Sequence, residues 1–162
     1  MSVVLCTGCV GDSEGVVLAT GNVSRLFEGK WTSACTEVKQ EELALPRPAV
    51  LQWVLSDGIS ELRVFFYRSS SCGGEPREAQ VFRGYVTIGT EVIPTDSGIP
   101  AFPLDFQVDP TQSTIAVDAQ IRLGIIAIIN DLLYMSPLDM TEPPESERTI
   151  TLNFVIPFFA ET

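Results

Sequence analysis

The residue types that carry most enzyme chemistry are sparse in this sequence. The 162 residues include no histidine, which excludes a Ser-His-Asp triad and a histidine-ligated zinc ion within the chain. Asp105 and Asp109 share one face of a predicted strand about 13 Å apart, too far for a pair of glycosidase carboxylates. Cys72 has no evident base partner, although an activated thiol needs one. We therefore predict no enzyme, no catalytic residue and no cofactor.

Four cysteines remain as candidates for metal or redox chemistry. Cys6 and Cys9 form a C-x-x-C pair, whereas Cys35 and Cys72 stand alone. A structural zinc site usually has two such pairs, and a thioredoxin-like pair opens a helix. The turn-like residues after Cys9 fit neither pattern. We interpret the cysteines as buried free thiols in a reducing compartment, with one or two disulfides as the alternative, and predict no metal site.

The charge balance limits the classes of partner. The chain has 21 acidic and 10 basic residues, a net charge of −11. Binding to nucleic-acid phosphates or to anionic membranes requires clustered Lys and Arg, so neither nucleic acid nor a membrane is an expected partner. No basic residue precedes the short apolar run at positions 2–5, so no secretory signal is predicted. The length suits a single domain, residues 1–162.

The stretch Val81–Asp109 is the clearest structural element. Apolar residues alternate with polar or proline residues in its second half, at Phe102, Leu104, Phe106 and Val108. A period of two is typical of a half-buried strand. The first half also resembles a strand, and turn residues join the two halves. We predict a long β-hairpin or two neighbouring strands of one sheet.

Further strands are predicted on both sides of this hairpin. The dipeptide Asp57-Gly58 joins two apolar runs, at 50–55 and 59–67, and is a strong hairpin signal. Alternating residues predict a closing strand at 149–158, and shorter runs at 3–5 and 16–20 are strand candidates near the N-terminus.

Two segments allow more than one interpretation. Apolar residues in the run 121–133 recur at helical spacing, which predicts a buried helix. Its isoleucines and Gly124 favour the alternative, a strand at 121–129. Residues 36–48 are predicted to form an assembly arm or loop, with a short capped helix or a charged loop as its local structure. The combined pattern predicts a mainly β fold, a β-sandwich or barrel of about six to eight strands with one flanking helix.

Two motifs resemble a known family. They are Gly84-Tyr85-Val86-Thr87-Ile88 and, after a connection, Phe102-Pro103-Leu104-Asp105-Phe106-Gln107-Val108. Together they resemble the late segment of tail tube proteins of long-tailed bacteriophages. The resemblance implies a β-sandwich or barrel with one flanking helix. It also implies hexameric rings that stack into a tube, with an acidic lumen through which DNA passes.

The expected function is therefore that of a self-assembling virion structural protein, a tail tube subunit made in the host cytoplasm. The expected partners are other copies of the chain, in hexameric rings, and other virion proteins, without specific nucleic-acid binding or membrane contact. Candidate interface residues lie in the arm and the C-terminal tail: Gln40, Glu41, Glu42, Leu43, Leu45, Phe158 and Phe159. Two other classes stay open, a capsid decoration or cement protein, and a small-ligand module or enzyme of β-sandwich type.

Overall fold

Strands with alternating side chains make up most of this fold, as the sequence predicts. The computed structural model describes residues 23–39, 45–114, 119, 121–136 and 147–161. Of these residues, 54% lie in strands and 3% in helix. In chain order the elements are α1 (Ser24–Phe27), β1 (Gly29–Ser33), β2 (Thr36–Val38), β3 (Arg47–Ser56), β4 (Ile59–Phe66), β5 (Glu78–Ile88), β6 (Ile93–Pro94), β7 (Pro100–Val108), β8 (Ile121–Ile129), β9 (Leu132–Met135) and β10 (Phe158–Ala160).

Eight of these strands form a closed antiparallel β-barrel. The barrel strands are β1, β3, β4, β5, β7, β8, β9 and β10, each paired with the next, and β10 pairs with β1 to close the ring. The predicted fold class is confirmed, with a barrel rather than a sandwich as its form. Closure gives every barrel strand a hydrogen-bonded neighbour on both sides.

The predicted hairpins are present. β3 and β4 flank Asp57 and Gly58, whose φ values of 49° and 76° belong to a tight two-residue turn. β5 and β7 pair along the predicted central hairpin, and the short strand β6 lies in the connection and pairs with the start of β7. Gly84 allows β5 and β7 to approach closely, since a Cβ there would lie 1.9 Å from the backbone oxygen of Gln107.

The segment 121–133 is a strand followed by a turn, so the predicted helix is wrong and the strand alternative is confirmed. β8 is buried on both faces, because Ile126 faces the barrel interior and Ile125 faces a second apolar layer outside. A strand buried on both faces loses its period-two pattern and cannot be told from a buried helix by spacing alone. Within the described residues the helix is the four-residue α1.

The closing strand predicted at 149–158 is wrong except at Phe158. The structure has β10 at Phe158–Ala160, and residues 147–157, here called the closing segment, contain no strand. The closing segment packs on the outside of β7 and β8 through Arg148, which donates hydrogen bonds to the carbonyl oxygens of Leu104 and Gly124 and to Asp105. Leu152 of this segment is buried in the outer apolar layer. The alternating residues of the closing segment therefore belong to a packed loop and not to a hydrogen-bonded strand.

The arm region is partly strand. Thr36–Val38 is β2 and pairs with the start of β3, so neither the short helix nor the charged loop predicted there describes these residues. Both β1 and β2 pair with β3, and the register of this pairing shifts by one residue between Ser33 and Thr36. The shift is a β-bulge that separates β1 from β2. Residues 40–44 lie outside the described residues, as do the predicted strands at 3–5 and 16–20.

Two cysteines are bonded to each other. Cys35 and Cys72 form a disulfide, with Cα atoms 5.6 Å apart. The prediction of free thiols is therefore wrong for this pair, because the fold brings the β1–β2 link next to the β4–β5 connection. Disulfides form and persist in oxidising environments. Cys6 and Cys9 lie outside the described residues.

The barrel interior is filled largely by aromatic and aliphatic side chains. Trp53 and Phe106 are fully buried and meet edge to face, with ring centroids 6.3 Å apart. The Trp53 indole donates a hydrogen bond to Ser60, so its polar atom is satisfied in the core. Over the described ranges, no helix has the length and apolar character needed to cross a membrane.

Candidate functional site

The short helix α1 covers one part of the barrel end and begins the candidate site. Its last residue, Phe27, is buried and packs edge to face on Phe102 of β7, with ring centroids 5.9 Å apart. The Trp31 indole nitrogen of β1 donates a 2.9 Å hydrogen bond to the carbonyl oxygen of Phe27. Gly29, between them, has a φ of 134°, which strongly favours glycine. This local geometry holds α1 against the barrel.

A cavity of about 440 Å³ lies between α1 and the strands around it. Side chains of β1, β7 and β8 form its walls, and Ala160 of β10 lies at an exposed position beside it. The residues that line it are Leu26, Phe27, Trp31, Pro100, Phe102, Ala127, Ile128, Asp131 and Ala160. The lining is therefore predominantly apolar, with aromatic rings from three different elements.

Asp131 is the one charged residue among the described residues that line this cavity. It belongs with Asn130 to the two-residue turn between β8 and β9. The two residues have φ values of 50° and 63°, the left-handed conformation that Asn and Asp adopt most readily after glycine. The turn is short and hydrogen-bonded strands flank it, so the backbone of Asp131 is held at the edge of the cavity, where the residue is solvent-exposed.

A second, smaller cleft of about 240 Å³ lies on the outer face of β4 and β5. Glu61 accepts hydrogen bonds there from both Arg63 and Arg83. Burial raises the pKa of Glu61, but hydrogen bonds and charges from Arg83 and Arg63 outweigh this, so that its pKa lies below the ordinary value. The charges of Glu61, Arg63 and Arg83 satisfy each other, which favours a structural role for this cluster.

The two carboxylates considered for catalysis have structural partners. Asp105 forms an ion pair with Arg148 of the closing segment. Asp109 accepts hydrogen bonds from Thr111 and Gln112 in the turn after β7, and the Thr111 hydroxyl is the main reason that the pKa of Asp109 is lowered. Neither residue lines the cavity beside α1.

The candidate interface residues do not lie together in one described surface. Phe158 is buried in the barrel core, whereas its neighbour Phe159 is 47% exposed on the outer face. Leu45, which lies just before β3 in the arm region, is 75% exposed. Gln40, Glu41, Glu42 and Leu43 lie outside the described residues. An interface role for these residues stays a prediction.

Sequence reasoning missed the cavity. The sequence predicts no role for Trp31, and Asn130-Asp131 falls within the helix predicted at 121–133. The positive-φ preference of Asn and Asp between two apolar runs is a hairpin signal that could have identified the turn. No pattern in the sequence places α1, β7 and the β8–β9 turn next to each other, because those contacts depend on closure of the barrel.

Neither metal chemistry nor a known family defines the site. No group of three or more metal-ligating residues occurs in the part of the chain that the structure describes. No family model matches the chain, and no curated protein matches it. The candidate site is thus defined by its geometry, an apolar cavity at one end of a closed barrel with a carboxylate at its edge.

Proposed function

We propose that this protein is a binding protein without enzymatic activity that holds one small, largely apolar ligand in the cavity beside α1. This is the small-ligand class among the functions that the sequence leaves open, on a barrel in place of a sandwich. The observation that carries the proposal is the cavity itself, with its apolar walls and, among the described residues, one charged residue.

The size of the barrel supports the proposal. A closed barrel of eight strands has an interior just wide enough to be filled by side chains or to hold one small ligand. In this barrel, buried side chains occupy one part of the interior and space for a ligand remains in another part. Trp53, Phe66 and Phe106 are fully buried in the interior, while space remains beside α1, between Phe27, Trp31 and Ile128.

The size and chemistry of the cavity support it further. Small-molecule sites typically measure about 300–1,000 Å³ and combine apolar walls with a few placed polar groups. The cavity, at about 440 Å³, falls in this range. The described lining residues offer rings for contact and one carboxylate for orientation, and they contain no base, nucleophile and oxyanion donors arranged together, which favours binding without chemistry.

Binding of the neutral probe N-phenyl-1-naphthylamine, whose fluorescence rises in apolar surroundings, tests the proposal. We expect saturable binding of one probe per chain. The variant Ala160→Phe adds a ring beside Trp31, its cross-strand partner, and fills the cavity. We expect it to weaken probe binding at least about tenfold.

The matched control is Ala79→Phe, which adds the same ring at an exposed position on the outer face of β5. It should bind the probe as the unmodified protein does. Equal binding by Ala160→Phe and Ala79→Phe, with both folded by circular dichroism, would contradict the proposed site. Absence of probe binding by the unmodified protein would contradict the proposed function.

A second candidate function is that of a tail tube subunit located in the virion. One observation favours self-assembly: cross-strand pairing puts exposed Ile59 beside exposed Tyr85, and exposed Ile121 follows two strands further on. Exposed apolar patches commonly mark interfaces. Light scattering on concentrated protein tests this candidate, with rings or tubes expected and a monodisperse monomer as the contrary result. Electron microscopy of the same sample would separate tail-like tubes from capsid-type trimers.

A further inference from the structure

We infer that the ligand of this cavity is an amphiphilic cation, with an apolar body against the ring-lined wall and an amine or quaternary ammonium head beside Asp131. This inference rests on the proposed function and adds the chemical class of the ligand. It follows from the position and the partners of a single carboxylate.

Asp131 has no cationic partner among the described residues. The ion pairs of the described part of the chain use Glu61, Glu78, Asp105 and Glu161 as their acids, and none includes Asp131. Asp131 is solvent-exposed at the edge of the apolar wall, so an opposite charge can approach its carboxylate directly. A cationic ligand head supplies that charge.

The backbone places Asp131 at the edge of the cavity. Asn130 and Asp131 form the two-residue β8–β9 turn, and β8 and β9 pair directly on either side of it, from Ile129 and Leu132 onward. The backbone of Asp131 therefore stays at the cavity edge, and its carboxylate lies within side-chain reach of that edge. An anionic head would meet it at close range and be repelled, so the same geometry selects against fatty acids and other apolar anions.

The charge of the whole chain acts in the same direction. A net charge of −11 attracts cations to the protein and lowers the local concentration of anions. This general attraction is screened over about 8 Å at physiological salt. A preference that persists at this ionic strength and depends on one residue therefore reports on Asp131 rather than on the overall charge.

Three ligands with the same apolar tail test the inference: decyltrimethylammonium, decanol and decanoate. Each is titrated against bound N-phenyl-1-naphthylamine in 150 mM salt, below the concentration at which it forms micelles. We expect the cation to displace the probe at a concentration at least about tenfold lower than the anion, with the neutral alcohol between them. In Asp131→Asn we expect the cation-to-anion ratio of affinities to fall to about one.

Asn is the substitution of choice because it tolerates the same positive φ as Asp, so the turn is kept while the charge is removed. The matched control is Asp57→Asn, which removes an equal charge from the two-residue turn between β3 and β4, where Asp57 also has a positive φ. Asp57 does not line the cavity, and its variant should retain the full preference for the cation.

The outcomes separate this inference from the proposed function. If the probe binds but the cation has no advantage over the anion, the inference is wrong and the binding function stands. If Asp131→Asn and Asp57→Asn reduce the preference equally, the preference arises from overall charge, which also overturns the inference. If neither probe nor any decyl ligand binds, the binding function and the inference both fail.

Discussion

The two sides of the barrel are stabilised differently. The strands β3 and β4 are covered on the inner face and open on the outer face, so that buried and partly exposed residues alternate along β4. The strands β7 and β8 are covered on both faces, because the closing segment and residues near β6 pack on their outer side. Arg148 fixes that layer through the β7 and β8 carbonyl oxygens. On the β3–β4 side, the disulfide Cys35–Cys72 instead joins the β1–β2 link to the β4–β5 connection.

The difference shows that strands with the same hydrogen-bonding pattern can be stabilised by different interactions. On the β7–β8 side, apolar burial continues outside the barrel, so the outward-facing side chains contribute as core residues do. On the β3–β4 side, outward-facing residues meet water and ion pairs, whose individual contributions are small. The covalent bond there acts mainly on the unfolded chain. Equivalent substitutions on the two sides should therefore have very different effects on stability.

The largest effect is expected for the pair Ile125→Ala and Ile59→Ala. Both residues face outward, but Ile125 of β8 is fully buried and Ile59 of β4 is 57% exposed. We expect Ile125→Ala to lower the free energy of unfolding by about 2–5 kcal/mol, and Ile59→Ala to change it by less than about 0.5 kcal/mol. Chemical denaturation with urea measures both. Equal losses would show that the closing segment does not form a packed layer.

The next effect comes from the disulfide. The bond joins residues separated by 37 positions, and replacing Cys35 and Cys72 by Ser should lower the free energy of unfolding by about 2–4 kcal/mol. A thermal melt with and without reductant measures this. The matched control replaces Cys6 and Cys9 by Ser, which leaves the Cys35–Cys72 bond intact and should keep its stabilisation. Unchanged stability in the Cys35–Cys72 variant would contradict a stabilising bond at this site.

The smallest effect concerns the Glu61 cluster on the outer face of the β3–β4 side. The pKa of Glu61 is lower in the folded protein, despite burial, because Arg83 and Arg63 bind its carboxylate. Its stabilisation is complete above the unfolded pKa of about 4.3 and is lost as the pH falls through the folded pKa. Between about pH 5 and pH 3, unmodified protein should lose about 0.5–1 kcal/mol more than Glu61→Gln.

Urea denaturation at several pH values measures this difference. The control is Glu75→Gln, which changes an exposed glutamate that takes part in none of the described ion pairs. Parallel stability curves for Glu61→Gln and the unmodified protein across this pH range would refute a contribution from the cluster.

The strands that sequence reasoning predicted well are those with one face exposed. Leu62, Val64 and Phe66 alternate with more polar neighbours, and the structure buries all three. The turn at Asp57-Gly58 was also predictable, because few residue pairs adopt two successive positive φ values. In these places local chemistry and tertiary structure favour the same conformation.

The errors fall where the tertiary environment differs from the local pattern. Residues 121–129 look like a helix because the closing segment covers their outer face, and that cover cannot be read from the run itself. The pairing of Cys35 with Cys72 and the position of the Asn130-Asp131 turn beside α1 depend in the same way on contacts between distant parts of the chain.

The sequence by itself determined the fold class, the period-two strands, the tight turn after β3 and the absence of histidine chemistry. These follow from residue types and from side-chain directions that repeat along a strand. Only the tertiary structure decided that the sheet closes, which residues are buried on both faces, which cysteines bond and where a cavity remains. Those properties depend on pairs of residues far apart in the chain, and the pairing of β1 with β10 is one example of such a contact.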